Sequence, residues 1–402
     1  DNSGVSSTLN QAIVTYRGDF SVSSIVTQDG LTATDAMTAG EQAILTNKSL
    51  LKTLPRDFAI EEETLSPAYS AKAHIGNSFE VLGLDIGFLA SLAYDNDVDH
   101  AEKMRAIIGA NVNANCSREL NTLDQIADSC YEVYSDSEAT TSNERLNAYV
   151  NVGVKMDNHK LSFSNIFLQD NEDEVEVSVT QAPAASSIYT IVGTGSANRN
   201  HSFNQEERIL TVSQFVGQHT FFDLAGLGFD WQYTRSEAET FIPVDVDFKF
   251  RDRFENGNYN ESIITGDDNR AIFSYTDMED NVDSYGGNFT LPIFTTDFEV
   301  ELKSGYDFID RARVYSTSSF AVNAGGSATV INNNGDPLHN SGYLTDSFID
   351  AENIDMQFNE PTAPNADDYL AAQKIGAGYG AFDVIYKGQW RLSGGVRYED
   401  FK

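Results

Sequence analysis

The chain has 402 residues, 41% of them hydrophobic, and its 61 acidic against 26 basic residues leave a net charge of −35. That balance excludes a nucleic-acid surface, which needs clustered cations. No run of about 18 uncharged apolar residues occurs, so no transmembrane helix is expected, and no basic start precedes an apolar stretch, so any secretion signal is read as already removed.

In chain order, the stretch 36–54, with Ile44, Leu45, Leu50, Leu51 and Leu54, predicts a short helix limited by Gly40 and Pro55. No helical domain is expected. Next, Tyr69, Ala71, Ala73 and Ile75 alternate with Ser70, Lys72 and His74. Side chains alternate faces along a strand, so this is a strand with two unlike faces. The segment 81–94 is the most informative. Leu82, Leu84, Ile86, Phe88, Ala90, Leu92 and Tyr94 fall on one side, and Gly83, Asp85, Gly87, Leu89, Ser91 and Ala93 on the other. The pattern outlasts an ordinary strand and ends in an aromatic, as where a strand crosses a membrane boundary. Leu82, Leu84, Ile86, Phe88 and Leu92 are therefore assigned to lipid, and Asp85 and Ser91 to an interior.

Cys116 and Cys130 follow in a polar stretch. A metal or redox site finds no support in a Cys-x-x-Cys or a neighbouring His. In an exported chain the pair reads as a disulfide closing a surface loop, worth roughly 3 kcal/mol. Four further segments alternate in the same way: Val150 to Met156, Leu227 to Tyr233, Phe298 to Tyr306 and Trp390 to Tyr398. Short turns are expected at 76–80, 157–159, 292–297 and 387–389, and long polar loops at 95–143, 170–206, 235–285 and 309–370. A soluble β-sandwich or β-propeller would share the alternation. Strand length, aromatic ends and the alternation of short and long connections favour an all-β, transmembrane antiparallel β-barrel of outer-membrane type.

Chemistry is hard to find. The six histidines lack metal-ligand spacing, and no Gly-x-Ser-x-Gly elbow or phosphate loop appears, so no enzyme is expected. Asp277, Glu279 and Asn281 imitate the start of a calcium loop, but Val282 stands where the turn needs glycine. In 375–381, Ile375, Ala377, Tyr379 and Ala381 are read as the lipid side of a strand, with Gly376, Gly378 and Gly380 inside. The stretch 336–368 carries eight Asp and Glu and no Lys or Arg. It reads as a solvated loop or as carboxylates that hold Ca²⁺ or Mg²⁺ weakly. No other cofactor is expected.

Three stretches resemble the barrel of the TonB-dependent receptor family. They are Leu54-Pro55-Arg56-Asp57-Phe58 with Leu84 to Ser91, then Glu206-Glu207-Arg208 with Leu227 to Tyr233, then Tyr379 through Trp390-Arg391-Leu392-Ser393-Gly394-Gly395-Val396-Arg397-Tyr398-Glu399. The resemblance implies energised uptake of an iron chelate, cobalamin or oligosaccharide through a 22-stranded barrel in the outer membrane of a Gram-negative bacterium. Implied partners are outer-membrane lipid and lipopolysaccharide, the TonB protein and a small nutrient. Residues 1–402 would be a piece of such a barrel, with no plug and no TonB-box segment before it. A passive outer-membrane porin and a secreted adhesin-like β protein are the alternatives.

Overall fold

The structure is a computed structural model. It describes residues 6–56, 60, 64, 67–107, 133–181, 195–255, 258–264, 271–324, 329–332, 344–351, 354–358 and 368–402. Cys116 and Cys130 lie outside the described residues.

The strands are β1 (Tyr69–Val81), β2 (Leu84–Ile107), β3 (Val133–Met156), β4 (His159–Gln181), β5 (Gly195–Phe221), β6 (Leu227–Glu255) and β7 (Asn258–Ile264). They continue as β8 (Ala271–Phe294), β9 (Phe298–Ala324), β10 (Thr329–Asn332), β11 (Ile354–Phe358), β12 (Tyr369–Tyr386) and β13 (Trp390–Phe401). One antiparallel sheet runs β1-β2-β3-β4-β5-β6-β8-β9-β12-β13, with β7 beside β6, β10 beside β7 and β11 on β9. The all-β antiparallel expectation holds. Closure into a barrel is not among the described pairings, in which β1 pairs only with β2 and β13 only with β12.

Most of the stretches expected to be long loops are strand instead. β6 alone has 29 residues, roughly 95 Å at the usual rise. In its outer half Val244, Val246, Phe248 and Phe250 alternate with Asp245, Asp247, Lys249 and Arg251, a two-residue hydrophobic period that belongs to a strand. Ladder hydrogen bonds hold it as strand. The expected turn at 76–80 is also strand, since β1 runs through it paired residue by residue with β2. The chain reverses at Leu82 and Gly83, both with positive φ, which matches the twist of a two-residue hairpin. Leu82 is therefore a turn residue, 98% exposed, and not part of the strand face assigned to lipid.

The chain also holds a helical cap that extends beyond the helix expected at 36–54. α1 (Ser7–Tyr16) and α2 (Val22–Gln28) start at Ser6 and Ser21, whose hydroxyls accept from Leu9 and Ser24 N–H groups. α3 (Ala39–Leu51) opens on a capping box, Thr38 with Glu41, that satisfies backbone donors in both directions. Leu9, Tyr16, Phe20, Ile25, Leu50 and Leu51 pack onto Phe203, Phe248, Phe250, Phe273 and Phe320 of the sheet. Each such buried side chain contributes about 1.5–3 kcal/mol. A short helix, α4 (Asp346–Ala351), and β11 complete the cap through Ile349 and Met356. Asp346 and Asp350, from the stretch read as uncompensated acid, pair with Arg56 at 2.8 Å and Lys52 at 2.7 Å. Their cations come from nearly 300 positions away, so the local sequence could not show them.

Candidate functional site

Register connects the six alternating segments into one face. Phe79, Ile86, Val154, Leu161, Gly217, Trp231, Gly287, Tyr306, Gly378 and Tyr398 form a single row across ten strands. The next row contains Phe88, Val152, Phe163, Phe215, Tyr233, Tyr285 and Phe308. Leu84 and Leu92 share this face by strand alternation, so four of the five residues assigned to lipid lie together and Leu82 does not. Large apolar side chains here are well exposed, among them Leu92, Phe215, Leu302, Leu392 and Val396. The band occupies the turn-proximal part of each strand, as with Phe298 to Phe308 on β9. Such a length matches the nine to eleven residues of a tilted membrane-crossing strand. Along the same face, beyond the band, sits the cap, since Phe273 and Phe320 keep the parity of Phe289 and Tyr306.

One face assignment is inverted. Gly378 lies between Tyr306 and Tyr398 on the apolar face, whereas Tyr379 lies on the other and donates to Asn288 Oδ1 at 2.8 Å. From β5 to β13 the first row alternates glycine with a large aromatic; the Trp231 ring covers Gly217 and the Tyr306 ring covers Gly287. This is the aromatic rescue of a glycine in a sheet. The expected order, with Ile375, Ala377, Tyr379 and Ala381 toward lipid and the glycines inside, is thus reversed.

Near the turns, the apolar face holds a directed polar chain. Trp231 Nε1 donates to His219 Nε2 at 3.0 Å, and His219 and His159 meet through their Nδ1 atoms at 3.1 Å. Indole only donates, so the His219 proton sits on Nδ1 and passes to the His159 nitrogen as a hydrogen bond. Phe221, Phe229 and Phe289 stack around the pair.

The opposite face is polar. Glu80, Asp85, Lys155 and Lys160 share a row and line an open hollow of about 510 Å³. Asp383 pairs with Arg391, Glu301 with Lys303, and Arg397 with Asp307 and Glu399. Farther out, Arg311 and Arg313 converge on Asp280, and the two guanidiniums hold its carboxyl down to about 2. They line a second hollow of about 220 Å³ with Tyr369 and Gln373. The face offers hydrogen-bonding and charged groups to whatever lies against it.

Thr140, His100 and Glu138 meet, with His100 Nδ1 3.0 Å from the threonine hydroxyl and Nε2 3.5 Å from the carboxylate. His100 and Glu138 are exposed, so the water-excluded setting that makes such a group reactive is missing. Among the described residues no three His, Cys, Asp or Glu side chains converge as metal ligands. No helix among them is long and apolar enough to cross a membrane. Asp277, Glu279 and Asn281 lie within β8 rather than in a loop.

No protein-family model matches the chain, and no curated protein matches it.

Proposed function

We propose that the chain is part of the barrel wall of an outer-membrane receptor for TonB-energised uptake of a scarce nutrient. The carrying observation is the apolar band, continuous from Phe79 to Tyr398 and backed by a face of charged pairs. In this reading the band meets lipid and the polar face lines an aqueous interior. The outer parts of the strands, with the helical cap packed on their apolar side, stand in the extracellular medium beside lipopolysaccharide. The nutrient, an iron chelate, cobalamin or oligosaccharide, contacts the polar face, and the TonB protein engages the complete receptor.

Two measurements test this. Ile86→Arg places a charge within the band and costs about 2–4 kcal/mol in folding into bilayers, whereas Asp85→Arg on the opposite face costs far less. Equal costs would remove the lipid assignment. For uptake, ligand accumulation in cells should stop when the inner-membrane proton gradient is collapsed. Accumulation that survives the collapse would make the chain a passive channel instead.

A further inference from the structure

We propose that a divalent cation, Ca²⁺ in preference to Mg²⁺, binds on the polar face between β2, β3 and β4. Its protein ligands are Asn143 Oδ1 and the carboxylates of Asp97 and Glu172. The site needs neither lipid nor transport and stands apart from the uptake reading.

Asp97, Asn143, Glu172 and Glu206 are direct cross-strand neighbours in one row of the sheet. Side chains so placed have Cβ atoms about 4.5–5.5 Å apart, close enough for adjacent heads to share an ion. Asn143 is 6% exposed, and its Oδ1 is buried with no hydrogen-bond partner. A buried amide oxygen without a donor bears its full desolvation penalty. Donors are scarce around it, because the residues on either side of it in the row are carboxylates, which only accept.

The charge balance points the same way. Arg145 is divided among Asp95, Asp97 and Asp170, at 3.8, 3.4 and 3.2 Å. Arg208 is taken by Glu206 and, at 3.8 Å, by Asp170. Two guanidiniums thus face four carboxylates, and Glu172 has no cationic partner among the described residues. Like charges directly opposite each other, as Glu172 and Glu206 are, destabilise a sheet. A dication at Asn143 would supply the missing partner to the amide oxygen, the missing charge to Glu172, and further charge to Asp97, which shares Arg145 with two other carboxylates. Calcium accepts mixed carboxylate and amide oxygens at 2.3–2.6 Å with water completing the shell, and tolerates irregular geometry that magnesium does not.

The test is calcium titration by calorimetry on the full chain folded in detergent micelles and stripped with chelator. The parent should bind one Ca²⁺ with Kd on the order of 1 mM, as weak extracellular sites do. Glu172→Gln and Asn143→Leu should each weaken binding at least tenfold. Asn143→Asp, which keeps the oxygen and adds charge, should tighten it, so the proposal does not depend on a variant that might misfold. Glu102→Gln, an exposed carboxylate outside the row, should leave affinity unchanged. Absence of binding by the parent, equal loss in Glu102→Gln and Glu172→Gln, or no gain in Asn143→Asp would each overturn the site.

Discussion

The Trp231 indole occupies the space that a side chain at residue 217 would need. A Cβ added to Gly217 would lie 2.1 Å from Trp231 Nε1 and 2.3 Å from its Cε2. Gly217→Ala must therefore displace the ring, and with it the hydrogen bond to His219. Overpacking of this kind costs about 1–3 kcal/mol. In a Trp390→Phe background, where Trp231 is the only indole, the emission of the folded chain should shift to longer wavelength. Unchanged emission and stability would mean that the ring does not cover the glycine.

Asn47 fastens the cap by imitating a strand. Its amide donates to the Met356 carbonyl at 3.1 Å and to the Phe20 carbonyl at 2.8 Å, and its own carbonyl accepts the Met356 N–H at 2.8 Å. Asn47→Ala leaves three buried backbone groups without partners, a loss of about 2–4 kcal/mol. The cost falls on the cap alone. Hydrogen exchange should accelerate in 6–56 and 344–358 while β1 to β4 keep their protection. Uniform acceleration would show that cap and sheet open as one unit.

At Asp280, Arg311 and Arg313 stabilise the ionised carboxyl of the folded chain, holding it near 2 against an ordinary 3.8. A depressed carboxyl stabilises the fold above its unfolded value, and that contribution disappears as pH falls from about 4 to about 2. Its size is about 2 kcal/mol, taken from the shift. Asp280→Asn should cost somewhat less, about 1–2 kcal/mol, because the partially exposed guanidiniums regain water. The variant should also show a flatter stability profile between pH 4 and pH 2. A parallel profile would assign the acid sensitivity to other carboxylates.

In the band from Ile86 to Tyr398 the alternation is legible: five of the segments fall on one face of the sheet, while 375–381 is inverted. Glu172, Glu174 and Glu176 on β4 give a loop-like acidic density although Val175, Val177 and Val179 alternate with them on the other face. The cap is partly legible, since Leu9, Ala12, Ile13 and Tyr16 have helical spacing behind Ser6, but their burial against Phe248 and Phe320, far along the chain, is not. Asn143 gave no signal at all, since an asparagine becomes informative only once its buried oxygen is seen between two carboxylates.

His201 sits at the edge of the cap, 3% exposed, in a cluster that cannot accept another charge. Its Nε2 accepts from Arg199 Nη1, and Arg199 is held bidentate by Asp252, at 2.7 and 3.2 Å. The guanidinium also lies 4.3 Å from the centre of the Phe250 ring. Burial first, and the Arg199 charge second, push the imidazole down to about 3 from 6.5. Protonation would both desolvate a second cation and turn the acceptor of Arg199 into a donor facing a donor. The unfolded chain takes up this proton more readily than the folded one. Stability is therefore fully present above about pH 6.5 and declines as pH falls toward 3. At pH 5 the loss is about 2 kcal/mol, from a difference of some 1.5 pH units. His201→Gln keeps an acceptor for Arg199 but does not titrate in this range. Its profile between pH 7 and pH 5, followed by hydrogen exchange in β5 and β6, should be flat where that of the parent slopes. A slope in the variant equal to that of the parent would place the acid-sensitive group elsewhere.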